Sequence, residues 1–151
     1  MKILLPFDGS AAALEAVQFV IRLGGDGLNT SVVLANVQEH ASLYELMVAH
    51  DPQVIEQVSA EAGANTLEPA QALLAQAGIS FETEVSTGDP ANTLVDILEN
   101  YGCDLVVMGA SGNSALRSAL LGSVSNELLH AAGVPVMIVK ASEDALPELV
   151  A

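Results

Sequence analysis

Five short runs of aliphatic residues alternate along this chain with segments whose apolar residues recur at helical spacing. A continuous apolar strand must be covered on both faces, and parallel strands joined by helices meet that requirement. Right-handed crossovers then wind such a sheet outward from its middle in two directions. The alternation predicts an α/β fold: a doubly wound, open five-stranded parallel sheet in the order 3-2-1-4-5, Rossmann-like, with helices on both faces. The predicted strands cover residues 2–6, 31–37, 79–86, 103–108 and 134–139.

Capping residues and glycines mark the ends of the intervening helices. Ser10, Asp51 and Asp89 each precede a helical pattern and are expected N-caps, because their side chains can accept hydrogen bonds from amides of a first helical turn. Pro69 lies inside the longest pattern, where we expect a break or a kink. The predicted helices cover residues 11–23, 52–77, 90–100 and 126–132.

The length of 151 residues fits one domain with a single core. We expect that domain over residues 1–140 and an acidic tail over 141–151, with the polar stretch 38–51 as a mobile lobe. No apolar run reaches the ~20 residues that span a bilayer, and the first residues predict a strand rather than a signal peptide. Cys103 is the single cysteine, which excludes an internal disulfide and is typical of a reducing cytoplasm.

The charge balance excludes several classes of partner. Nineteen Asp and Glu face four Lys and Arg, for a formal net charge of −15. A nucleic-acid binder needs a basic face, and so does a protein that docks on anionic lipid. The charge therefore indicates either simple solubility or an acidic surface for protein partners. A bound nucleotide would need local N–H dipoles or a divalent metal to offset the repulsion.

Glycines and hydroxyl side chains lie between the fourth predicted strand and the last helix. Gly109 and Gly112 follow the strand directly, and Gly122 and Ser123 come after nine further residues. Glycine lets backbone N–H groups approach a ligand closely, and helix N-termini favour anions. This segment predicts a phosphate cradle that requires few basic side chains. Ser123 and Ser125 are candidates both for N-caps and for phosphate contacts, since the two roles use the same geometry.

Several other functional motifs are missing. The sequence has no Gly-Lys-Ser/Thr of a P-loop, and no G-x-G-x-x-G follows the first strand. A phosphorelay receiver would need an acidic pair after that strand, where Asp8 stands alone. Ser111 is followed directly by Gly112, so the G-x-S-x-G elbow of a hydrolase is absent. The histidines have no metal-ligand spacing; they are His40, His50 and His130.

The glycine spacing fits a family signature. The pattern G-x2-G-x9-G-[ST] marks the ATP-binding branch of the universal stress proteins, and Gly109, Gly112, Gly122 and Ser123 match it without a gap. The chain resembles this family over nearly its whole length. The segments that carry the rest of the resemblance, in the same order, are 4–10, 103–109 and 134–140.

The resemblance implies roles for individual residues. Pro6 would lie beside the nucleotide, and Asp8 would meet the ribose or a metal held by the phosphates. Val37 would contact adenine through its backbone, and Met108 would line the base or the ribose. Arg117 would reach a terminal phosphate. The residues that would wrap the phosphates are Gly109, Gly112, Gly122, Ser123, Val124 and Ser125.

The function implied by the resemblance is a nucleotide-dependent regulatory or stress-response protein. It would bind ATP, AMP or ADP, with Mg²⁺ held through the phosphates. We expect little or no hydrolysis, because the sequence has neither a P-loop lysine nor a general base for phosphoryl transfer. Two alternatives stay open: an interaction module of the same fold that binds nucleotide poorly, and a weak ATPase or autophosphorylating protein.

The last predicted strand is apolar on both faces and is expected at an edge of the sheet. An exposed apolar edge invites pairing with another chain, and the resemblance implies the same assembly. We therefore expect a cytoplasmic homodimer through the edge formed by residues 134–140, with Val136 and Ile138 facing outward, and unidentified protein partners beyond it. The alternative is that the tail, 141–151, folds back over this edge.

Overall fold

A computed structural model of the protein describes residues 1–39, 51–110 and 122–140. In chain order its elements are β1 (Lys2–Pro6), α1 (Ala11–Gly25), β2 (Ser31–Gln38), α2 (Pro52–Gln76), β3 (Ser80–Thr87), α3 (Pro90–Tyr101), β4 (Leu105–Gly109), α4 (Ser123–Ala131) and β5 (Val136–Val139). The strands are parallel and form one sheet in the order β3-β2-β1-β4-β5. The predicted fold class and strand order are therefore confirmed.

Side chains of the strands alternate between two apolar clusters, one on each face of the sheet. On the face covered by α1 and α2, Leu34 belongs to a buried cluster with Val17 and Leu67. On the face covered by α3 and α4, Val33 belongs to a second cluster with Leu94. Because both faces are covered, the central strands can be apolar without interruption.

The three predicted N-caps are confirmed. Ser10, Asp51 and Asp89 each accept a hydrogen bond from an amide of the first turn of α1, α2 and α3, at 3.1, 2.9 and 3.1 Å. Each cap satisfies one of the amides that have no partner within their own helix. The caps also fix where each helix begins, immediately beyond the carboxyl end of a strand or its connecting loop.

The expected break at Pro69 does not occur, because α2 runs without interruption from Pro52 to Gln76. An interior proline removes one helical hydrogen bond and costs roughly 3 kcal/mol. Leu67, Ala70 and Leu74 are fully or almost fully buried and hold the helix on the sheet on both sides of the proline. Packing of this face outweighs the local cost.

The edge strand β5 differs from the prediction in its first residue and in the direction of its side chains. It begins at Val136 rather than at residue 134, and Pro135, which has no N–H, precedes it. Val136 and Ile138 are partly buried against the α3 and α4 cluster, so the expectation that they face outward is wrong. Side chains of an edge strand still point to the two faces of the sheet. Only main-chain groups face the open edge.

Some expectations concern residues outside the described ranges. The lobe at 38–51 is described only at its two ends, and the tail at 141–151 is not described. The division into a domain and a tail therefore stays a prediction. Among the helices that are described, none combines the length and the apolar character that crossing a bilayer requires.

We predict that Gly63→Ala destabilises the protein. A Cβ atom at position 63 would overlap Val85 Cγ1 and lie 2.9 Å from Asn36 Oδ1. This overlap outweighs the helix-propensity gain of up to ~1 kcal/mol, so the free energy of unfolding should fall by about 1–2 kcal/mol. Urea denaturation measures the change. The matched control is Gly25→Ala, at a helical glycine with no other atom within 4 Å of the added Cβ, which should be neutral or stabilising. Equal effects of the two substitutions would contradict the packing argument.

Candidate functional site

A pocket of about 330 Å³ lies at the carboxyl ends of β1, β2 and β4. The chain leaves β1 toward one edge of the sheet and β4 toward the other, so this is the point where the winding reverses. Doubly wound sheets bind ligands at that point, because the diverging connections leave a crevice there. The first turns of α1, α3 and α4 all contribute to its lining, so three helix N-termini border the pocket.

Every predicted site residue that the structure describes lines this pocket. They are Pro6, Asp8, Val37, Met108, Gly109, Gly122, Ser123, Val124 and Ser125. Gly112 and Arg117 lie outside the described residues. The fold thus gathers residues that are up to 119 positions apart in the sequence (from 6 to 125). Their contact with a nucleotide stays a prediction.

The N-cap of α4 is a glycine. Gly122 occupies this position and has no side chain that could accept a hydrogen bond from the first turn. Neither Ser123 nor Ser125 is therefore the N-cap, because both already lie within the helix. Ser125 is buried and its Oγ donates to Gly109 O at 3.4 Å, which ties α4 to the end of β4. The first turn of α4 lines the pocket, so the positive end of the helix dipole lies beside it.

Gly109 has a packing role besides its place in the glycine motif. A Cβ atom at this position would lie 2.5 Å from the main-chain oxygen of Ala12 and 2.8 Å from its Cβ. Any side chain would push the first turn of α1 away from β4. The absence of a side chain thus lets two walls of the pocket approach each other.

Asp8 and Glu39 are the charged side chains among the described residues of the lining, and both are exposed. Asp8 Oδ1 accepts a hydrogen bond from Ser10 N–H at 2.9 Å, which shapes the turn between β1 and α1. Asp8 itself does not cap α1, since Ser10 holds that position. An anion in this pocket would meet two carboxylates, whose charge the helix N-termini and a bound cation would have to offset.

Asn36 was not predicted from the sequence as a site residue. It is a buried polar residue in an otherwise apolar strand. Its Nδ2 donates to Phe7 O at 2.9 Å, and its Oδ1 accepts from Gln38 Nε2 at 2.6 Å. The bond to Phe7 joins the ends of β1 and β2 beside the pocket, and the bond from Gln38 lies within β2. A lone amide within a continuous apolar run was the available signal, since buried polar groups are nearly always hydrogen-bonded. Other lining residues that the reading missed include Glu39, Pro90 and Leu94.

Two titratable groups away from the pocket have raised pKa values. The Tyr101 hydroxyl donates to Glu84 Oε2 at 2.9 Å, and this hydrogen bond to the carboxylate raises the pKa of Tyr101. Burial raises the pKa of the Cys103 thiol, which agrees with a packing role for this cysteine. Within the described ranges, no group of three or more His, Cys, Asp or Glu side chains could hold a metal ion by itself.

Comparison with known proteins identifies the family. The sequence profile of the universal stress protein family matches residues 1–140. The chain is 31% identical over 139 residues to universal stress protein MJ0531 of Methanocaldococcus jannaschii, covering 92% of this chain and 81% of that protein. It is 29% identical to universal stress protein Sll1388 of Synechocystis over 92% of this chain and 97% of that protein.

Solved structures share the fold. Protein MJ0577 superposes with a TM-score of 0.79 at 27% identity, covering 93% of this chain and 96% of that one. A universal stress protein in complex with cAMP has a TM-score of 0.64 at 24% identity (94% and 98% covered). The Arabidopsis thaliana family protein At3g01520 with AMP bound has a TM-score of 0.67 at 19% identity (98% and 96% covered). On the match of its sequence to the family profile and to these relatives, the chain belongs to the universal stress protein family.

Proposed function

We propose that this protein binds adenine nucleotides, ATP in particular, and acts as a nucleotide-dependent regulatory homodimer in stress response. The observation that carries the proposal is the N-terminus of α4, which has a glycine as its N-cap and lines a pocket where the winding of the sheet reverses. Related structures with cAMP and AMP bound support the same ligand class. The fold alone would be a weaker argument, because one fold serves many functions.

The phosphates would lie against α4. Gly122, Ser123, Val124 and Ser125 line the pocket, and helix N-termini bind anions through the main-chain amides of their first turn. The base would extend toward Val37, at the carboxyl end of β2. Among the described residues, no lining side chain carries a positive charge.

Mg²⁺ fits the part of the pocket lining that contains Asp8. The Asp8 carboxylate lies on the lining, and carboxylate, phosphate and water oxygens are the ligands that this hard cation prefers. Asp8 would hold the ion together with the phosphates, and the ion would neutralise part of their charge. We expect the nucleotide to be a bound ligand or switch with little or no turnover.

We predict that ATP with Mg²⁺ binds with a Kd between about 1 μM and 1 mM. Gly122→Val should abolish this binding, because its side chain would enter the space between phosphate and amides. The matched control is Gly133→Val, at a glycine whose added Cβ meets no atom within 4 Å and which lies outside the pocket. Calorimetry measures binding and far-UV circular dichroism verifies the fold. If calorimetry shows no heat for the wild type and no nucleotide is carried through purification, the results favour the alternative, an interaction module of the same fold that binds nucleotide poorly.

We predict that removal of Mg²⁺ weakens the binding of ATP much more than the binding of AMP. Two acidic lining residues oppose a triphosphate, and the cation relieves that repulsion. With EDTA the Kd of ATP should rise by about 10-fold or more, while that of AMP should change by less than about 3-fold. Parallel titrations at constant ionic strength measure both. Equal changes for the two nucleotides would exclude a role for the metal in holding the phosphates.

The proposed homodimer would form through the outer edge of β5, the last strand of the sheet. Pro135 O and Val139 O accept from the amides of Val106 and Ala110. Because main-chain groups alternate sides along a strand, those of Val136 and Ile138 point away from β4 toward the open edge. A second copy related by a two-fold axis would pair with them in an antiparallel ladder and bury both edges.

We predict that Ile138→Pro is a monomer and that Ile138→Ala remains a dimer. Both variants lose the same apolar side chain, which is partly buried, but only proline removes the outward N–H that the ladder needs. Sedimentation equilibrium at tens of micromolar distinguishes them. A monomeric wild type, or a proline variant that dimerises as tightly as the alanine variant, would exclude this edge as the interface.

A further inference from the structure

The hydrogen-bond ladder between β1 and β2 ends in an unusual way beside the pocket. Its last bond runs from Phe7 N–H to Ala35 O at 2.8 Å. In a parallel ladder the next bond would run from Val37 N–H to Phe7 O. Phe7 O instead accepts from Asn36 Nδ2 at 2.9 Å, and the main-chain bonds of the described residues include none from Val37 to Phe7. A side chain has taken the place of a main-chain donor.

The direction of the Val37 main chain follows from its neighbours. Ala35 O faces β1, because it accepts from Phe7, whereas Gln38 O faces β3, because it accepts from Gly88 N–H at 2.9 Å. Main-chain groups alternate sides along a strand, so the N–H and C=O of Val37 share the side of Ala35. β1 ends before it reaches the level of Val37 on the neighbouring strand. Val37 lines the pocket.

We propose that Asn36 is a positioning residue that occupies Phe7 O and thereby keeps the Val37 N–H and C=O available to a base in the pocket. Without the Asn36 donor, Phe7 O would accept from Val37 N–H and the ladder would close by one more bond. The base edge that fits is an acceptor next to a donor, as in ring N1 and the 6-amino group of adenine. This role rests on the proposed nucleotide function, but the state of the Val37 amide does not.

The surroundings hold the Asn36 carboxamide in a single orientation. Gln38 Nε2 donates to its Oδ1, so its Nδ2 is left to donate to Phe7 O. Asn36 is 5% exposed, which removes water as a competing partner. From the other side α2 packs so closely that a Cβ atom on Gly63 would lie 2.9 Å from Asn36 Oδ1. The amide is thus bonded at both ends and enclosed by packing, which keeps a hydrogen bond at a pocket edge well formed.

The first test needs no ligand. Amide hydrogen exchange followed by NMR should show Val37 N–H of the wild type exchanging at least about 10-fold faster than that of Ala35, the last β2 residue paired with β1. In Asn36→Ala the Val37 amide should become protected, as the ladder closes onto Phe7 O. A protected Val37 amide in the wild type would overturn the proposal, and so would an amide that stays unprotected in the variant.

The second test separates positioning from a general loosening of the fold. Asn36→Ala should weaken the binding of ATP about 10-fold, the effect of losing one hydrogen bond. It should also reduce the preference for ATP over ITP, because the N1–H and O6 of ITP reverse the donor and acceptor positions of adenine. The control is Ser86→Ala, on the β3 residue paired with Val37, whose hydroxyl bonds Glu84 rather than the β1 end. Equal weakening of ATP and ITP, or the same loss in the control, would overturn the role. A wild type that binds no nucleotide would refute the proposed function, while the exchange experiment would still decide the state of Val37.

Discussion

The close contact between the end of β4 and the first turn of α1 is the constraint on which the pocket depends. Gly109 meets the main chain of Ala12 without space for a side chain, so the first turn of α1 packs directly against the end of β4. Ser125 ties α4 to the carbonyl of the same glycine. A bulkier residue at this position would displace the N-terminus of α1 from the end of β4 and change the shape of the cavity.

The strong acidity of the chain and an anion-binding pocket are compatible because the two depend on different atoms. The net charge of −15 resides on side chains, many of them exposed. The groups that would meet phosphates are main-chain amides at the start of α4, whose dipoles persist whatever the surface charge. Exposed charges more than about 10 Å away are largely screened at physiological salt, so distant carboxylates weaken an anion site little. Asp8 and Glu39 line the pocket itself, and their repulsion is what a metal ion would offset.

Periodicity was sufficient to predict the strand order, and capping residue types were sufficient to predict three helix starts. The residues that meet at the pocket were predicted from the resemblance to the family, which the glycine spacing carries. These features arise from local sequence and from the rule that ligands bind where the winding of the sheet reverses. The reading failed where tertiary contacts override local preference. Pro69 sits inside a continuous helix because buried leucines flank it, and α4 begins at Ser123 because its first turn packs on the end of β4. The role of Asn36 depends on Phe7, which lies 29 residues away in sequence.

Both ends of the pocket offer main-chain groups to a ligand. This explains why few of the site residues have charged or reactive side chains. At the proposed phosphate end, the groups are amides of the first turn of α4, whose N-cap is a glycine. At the opposite end, they are the N–H and C=O of Val37, at the point where β1 ends and an asparagine takes over the next rung. In both places, recognition would rest on main-chain groups rather than on charged side chains. Such a site constrains glycines, strand lengths and one buried amide rather than charged side chains. Surface composition can therefore become strongly acidic while the pocket keeps its character, and the sequence signal for binding lies in spacing.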